Sequence, residues 1–202
     1  EHAAYGFPYP ELKIRMDRFA EQLEVIHGSW GPGPFTFKGE HYQLDALEAL
    51  PKPVQRPHLP LIMGGSAGPR VAALAARFAD EYNTVVVTAD VARERRERIH
   101  AACEAAGREP IRFSVMTPVI TGVTEDEVRA RAAASAEFRG MPADALIKDP
   151  PSGWLIGTVD ALAEQIRALA QAGVDRILCQ HLPHTDLEMV EILGTELAPL
   201  VA

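Results

Sequence analysis

The sequence predicts an α/β fold of parallel βα units, and three observations carry that prediction. Short, almost continuously apolar runs at 59–63, 81–87, 111–121 and 174–180 alternate with helical patterns at 69–79, 90–106, 124–138, 158–172 and 187–201. Runs of that kind mark strands buried on both faces, as parallel strands are when helices cover them. Glycine stands just past two of the helical stretches, at Gly107 and Gly173, where a left-handed C-terminal residue is favoured. Thr124 and Glu127 have the spacing of a capping box, which fixes the start of a third helix. An open doubly wound sheet and a (β/α)8 barrel both accommodate this alternation, and four strands are too few to close a barrel.

The first sixty residues read differently. A Pro/Gly loop over 5–10 leads into a helix opened by Pro10 and Glu11, with Ile14, Phe19, Leu23, Val25 and Ile26 on its apolar face and Gly28 ending it. Phe35-Thr36-Phe37 and His41-Tyr42-Gln43-Leu44 flank Lys38-Gly39-Glu40, the pattern of a short β-hairpin. Pro51, Pro53, Pro57 and Pro60 mark an irregular connector. A second interruption, 139–157, contains Pro142, Pro150, Pro151 and Gly153 and reads as a long loop around a short helix.

Composition narrows the function classes. The 202 residues are 47% hydrophobic and 24% charged, which supports a packed core. The net charge of -8 excludes nucleic acid and anionic membrane surfaces as expected partners. The mixed-sign run from Arg93 to Arg98 is a solvated helix face. Cys103 and Cys179 have no metal or C-x-x-C spacing and read as buried, reduced thiols. With no span-length apolar run and no signal peptide, the expected setting is the cytoplasm.

The chemistry concentrates where strands end. Gly64-Gly65-Ser66 follows an apolar strand and precedes a helix. Glycines let main-chain N–H groups approach an anion, and the helix N-terminus adds its positive dipole. Ser66 would add a hydroxyl and Arg70 a cation. A tight βα turn without a ligand explains the same residues equally well. On the next strand, Tyr82 is placed to pack on a ring system and Asn83 to hydrogen-bond a polar ligand. His181 and His184 follow the last strand, at the end where parallel βα folds bind ligands. Two histidines without a third ligand do not make a metal site. Glu1, His2 and Tyr5 crowd the N-terminus, and Trp154 stands in the long loop as a candidate pocket wall. Trp30 reads as packing.

Several segments together resemble the luciferase-like monooxygenases, most closely their F420-dependent oxidoreductase branch. They are Glu1-His2-Ala3-Ala4-Tyr5-Gly6-Phe7-Pro8-Tyr9-Pro10 followed by Arg15-Met16-Asp17-Arg18-Phe19, then Phe37-Lys38-Gly39-Glu40-His41-Tyr42, then the connector from Pro51 to His58. Leu61-Ile62-Met63-Gly64-Gly65-Ser66 is similar to the family's fifth strand, and Ala79-Asp80-Glu81-Tyr82-Asn83 to a segment that usually has Trp where Tyr82 stands. Gly157-Thr158 and Ala172-Gly173-Val174-Asp175 are similar to the last barrel unit.

The resemblance implies an incomplete (β/α)8 TIM-barrel type fold: about strands 5–8, the helix after strand 4 and a hairpin insertion, in one domain over 1–202. Strands 1–4 would precede Glu1. It implies a flavin- or deazaflavin-dependent oxidoreductase or monooxygenase, passing hydride between a reduced cofactor and a small organic substrate. F420 is the first cofactor choice and FMN the second. Gly64, Gly65, Ser66 and Asn83 would hold the cofactor, no metal is implied, and Glu1, His2, Tyr5 and His181 are substrate-pocket candidates. A homo-oligomer, or pairing with a separate N-terminal half, would cover the open sheet edges. The alternative is a non-catalytic half-barrel that serves only in assembly.

Overall fold

The computed structural model describes residues 1–201. The chain forms two units, Glu1–Leu61 with Arg77–Ala79, and Ile62–Ala76 with the chain from Asp80 onward.

The first unit contains α1 (Leu12–Trp30) and an antiparallel hairpin of β1 (Phe35–Lys38) and β2 (Gln43–Leu47). The helix does not stop at Gly28, as the sequence suggested, but continues to Trp30. Gly28 has another use: the Phe35 ring occupies the space a side chain there would need. Glu21, one face of α1, pins the hairpin turn. Its carboxylate accepts N–H bonds from Glu40, His41 and Tyr42 at 2.8, 2.9 and 3.0 Å. Burial works to raise the Glu21 carboxyl, but these N–H groups outweigh it and hold it below the ordinary 4.5. His58 packs edge-on against His27 and stacks on Trp30.

The second unit alternates strands and helices: β3 (Ile62–Gly64), α2 (Pro69–Phe78), β4 (Glu81–Val85), α3 (Ala89–Ala105), β5 (Arg112–Gly122), α4 (Glu125–Phe138), α5 (Ala145–Lys148), β6 (Leu155–Thr158), α6 (Val159–Gln171) and β7 (Arg176–Gln180). A terminal helix follows as α7 (Leu187–Ile192), a π-helical turn (Leu193–Leu197) and α8 (Ala198–Val201). The capping box is present with a shift: Thr124 Oγ1 accepts from Glu127 N, and Glu127 Oε2 reaches Val123 N at 2.8 Å.

Every strand pair in this sheet is parallel. One edge of β5 pairs with β4, which pairs with β3. Its other edge is divided: Ser114–Pro118 pair with β7, and Val119–Gly122 pair with β6. Pro118, which has no N–H to donate, stands at the handover. Among the described residues the sheet does not close: β3 pairs only with β4, and β7 only with β5.

Three expectations need correction. The first strand begins at Ile62 rather than 59, because Pro60 cannot donate to a ladder. The 139–157 interruption holds a strand, β6, whose two apolar residues Leu155 and Ile156 are too short a run to show a period. Cys103 is buried, but Cys179 is exposed on the edge strand β7.

Met63, Tyr82, Thr84, Phe113, Val115 and Thr117 fill the buried side of the sheet. The register sets Ile62, Glu81 and Arg112 side by side on the other face, then Gly64, Asn83, Ser114 and Arg176 one level higher. Ile120, Ala132, Ala136 and Leu146 form a separate cluster, joined by Trp154 and Ile156. Trp154 therefore belongs to packing, with the Arg139 guanidinium 4.7 Å above its ring. No helix among the described residues is long and apolar enough to cross a membrane.

Candidate functional site

The turn after β3 is stitched to β4 one residue beyond the strand. Gly65 N–H donates to the Asn83 main-chain oxygen at 3.1 Å. Gly65 has φ +144°, a value that L side chains rarely adopt. A Cβ there would also lie 3.2 Å from the Tyr82 hydroxyl. That hydroxyl accepts the Ala67 N–H at 2.9 Å, and Ala67 itself has φ +54°. Tyr82 is 0% exposed and its ring stacks on Phe113. It cannot pack on a ligand, contrary to the sequence reading, and acts instead as the internal support of the turn. Burial pushes its phenol pKa up, so the hydroxyl keeps its proton.

Above this support, Gly64, Gly65 and Ser66 are exposed. Helix α2 starts three residues after Ser66, with no acidic residue in its first turn and with Arg70 within it. The Gly65 and Ala67 N–H groups are used within the fold, and the turn offers the exposed Ser66 and a helix start with no acidic residue in its first turn, a fit for a phosphate group. Strained backbone recurs at the same end of the sheet: Val86, just after β4, has φ +48°. Such outliers persist only where the surroundings enforce them, and they gather at ligand sites.

Asn83 sits beside Gly64 and donates its Nδ2 to Ser114 Oγ at 2.9 Å. The Ser114 hydroxyl also faces the Glu81 carboxylate, whose Oε1 is buried with no hydrogen-bond partner among the described residues. Glu81 is 3% exposed, paired with Arg176 and lying 3.9 Å from Arg112. Burial raises its carboxyl, but the Arg176 hydrogen bond, the Ser114 hydroxyl and both arginine charges outweigh that and lower it. Sequence reasoning missed Ser114 and Glu81. The signal available was period two: Arg112 and Ser114 alternate with the apolar Phe113 and Val115 at the start of β5.

His181 follows β7 directly. Both of its ring nitrogens are buried, and neither has a hydrogen-bond partner among the described residues. Its loop is fastened by Arg131, which holds Asp186 and Glu188 at 2.8 Å each and the Thr121 carbonyl at 3.1 Å. Asp186 also caps α7 at Met189 N. Burial raises the Asp186 carboxyl, and the Arg131 and Met189 hydrogen bonds, aided by the Arg131 and His181 charges, bring it below its ordinary value. His184 is exposed, and no third metal ligand joins it and His181 among the described residues.

Gly64, Gly65, Ser66 and Asn83 therefore come together as one patch, with His181 at another strand end of the same sheet. Glu1, His2 and Tyr5 lie in the first unit. Tyr5 N–H bonds the Glu1 carbonyl at 3.0 Å, and Tyr5 is 77% exposed. The His2 ring rests edge-on against Tyr9 at 4.7 Å.

The parallel βα units form an α/β fold that solved structures share. An F420-dependent secondary alcohol dehydrogenase, in complex with an F420-acetone adduct, superposes over 100% of this chain and 66% of its own, with TM-score 0.74 and 19% identity. The profile of the luciferase-like monooxygenases matches residues 1–151. The chain belongs to that family. An FMNH(2)-dependent dimethylsulfone monooxygenase from Pseudomonas putida is 32% identical over 231 aligned residues, covering all of this chain and 62% of the relative. An F420-dependent glucose-6-phosphate dehydrogenase from Nakamurella multipartita is 35% identical over 79 residues, 39% of this chain and 22% of the relative. The chain thus spans under two thirds of the length of these curated relatives.

Proposed function

We propose that this chain carries the phosphate-holding end of a flavin- or deazaflavin-dependent oxidoreductase acting on a small organic substrate. The observation that carries the reading is the β3–α2 turn: exposed glycine backbone, Ser66 and a helix start without acidic residues, held in place by buried Tyr82. The bound cofactor supplies the hydride chemistry. The protein supplies placement. Gly64, Gly65 and Ser66 hold the phosphate, and Asn83 meets a polar group further along the cofactor. His181, directly after β7, belongs to the substrate pocket in this reading.

Tyr5-Gly6-Phe7-Pro8 and the hairpin favour F420; the whole-chain match to an FMNH(2)-dependent enzyme favours FMN. A cytoplasmic setting and a homo-oligomer accompany either choice. Fluorescence titration of the full-length protein with F420 and with FMN decides between them. Ser66→Ala is expected to weaken the chosen cofactor about tenfold, the effect of losing one hydrogen bond to a charged group. Its melting temperature stays unchanged, because Ser66 is exposed. Absence of saturable binding by either cofactor overturns the reading.

A further inference from the structure

Ser114 is 0% exposed in the central strand and faces two neighbours, the Asn83 amide and the Glu81 carboxylate. A serine hydroxyl has one proton to give, and an ionised carboxylate can only accept. Glu81 is ion-paired with Arg176, and its Oε1 is buried with no other donor among the described residues, so the Ser114 proton is directed to it. The Ser114 oxygen then offers only lone pairs to Asn83. The NH2 end of the amide alone can meet them, which is the arrangement the 2.9 Å Nδ2–Oγ bond describes. The choice of amide orientation is thus dictated by the charge two residues earlier on β4.

We propose that Ser114 is a positioning residue that holds the Asn83 amide one way round, so that Oδ1, an acceptor, is what Asn83 offers a bound molecule. This rests on the reading that a phosphate-bearing cofactor occupies these strand ends. An acceptor suits a hydroxyl or ring N–H and is unsuited to phosphate oxygen, which also accepts. The site is therefore divided: phosphate at the β3–α2 turn, a hydrogen-bond donor of the cofactor body at β4.

Two measurements on the full-length protein test this. Asn83 is the only asparagine among the 202 residues, so asparagine-selective 15N labelling follows its side-chain NH2. Ser114→Ala, a nearly isosteric change, is expected to shift those resonances toward solvent-exposed values. The same variant is titrated with FMN and with riboflavin, or with F420 and its phosphate-free deazariboflavin. Ser114→Ala should weaken both members of the pair by the same factor, about five- to tenfold, whereas Ser66→Ala weakens only the phosphorylated one. Unmoved amide resonances overturn the relay. Loss confined to the phosphorylated member, or no loss in either, overturns the acceptor role. If the unaltered protein binds neither cofactor, the functional reading fails while the amide resonances still decide the role of Ser114.

Discussion

Gly64 and Gly65 stand side by side in the sequence and do different work. Gly65 alone has a positive φ, and it alone faces the Tyr82 hydroxyl. Gly65→Ala should destabilise the protein by about 1–3 kcal/mol, the usual cost of forcing a side chain into such a conformation. Gly64→Ala, whose Cβ would meet only the Asn83 carbonyl at 3.3 Å, should cost less. Urea denaturation of the two variants checks the order, and equal losses would contradict it. The glycine pair was legible as a phosphate turn because its setting, strand before and helix after, is local. The support beneath it was not. Tyr82 reaches Ala67 across fifteen positions, and a tyrosine in an apolar run reads equally as a ligand platform or as core. Residue type alone does not reveal which way a phenol points.

Among the elements, the hairpin depends on one carboxylate. Glu21 on α1 gathers three N–H groups of the β1–β2 turn. Its carboxyl is held below 4.5 in the folded chain, so its contribution is fully present above that pH and is lost as pH falls through the lowered value. Glu21→Gln should therefore lower the melting temperature at pH 7, and the gap to the unaltered protein should narrow as pH drops toward 3. A gap constant with pH would sink the assignment. The hairpin itself was readable from Phe35 to Leu44, since alternation around Lys38-Gly39-Glu40 is a short-range pattern. Its anchor lies some twenty residues away on a helix and left no local mark. Strand β6 escaped for a related reason. Leu155 and Ile156 become a strand only because β5 is long enough to offer them an edge.

Across the whole second unit, protection follows the sheet topology. The amides of β5 between Ser114 and Met116 have strands on both sides, while β3 and β7 each have one partner. Native-state hydrogen exchange should find 114–116 the slowest and β3 and β7 much faster. Protection of β3 equal to that of β5 would show that something else covers this edge. The divided edge of β5 has a further outcome. The stretch from Arg139 to Thr158 forms its ladder with β5 only beyond Pro118, and before Pro118 the Thr117 hydroxyl donates to its Gly153 carbonyl at 2.6 Å. β5 therefore supports two bodies of structure: Ser114 lies level with Gly64, Asn83 and Arg176, while Ile120 packs against Ala132, Ala136 and Leu146. One strand is thus the common wall of the candidate site and of a second core.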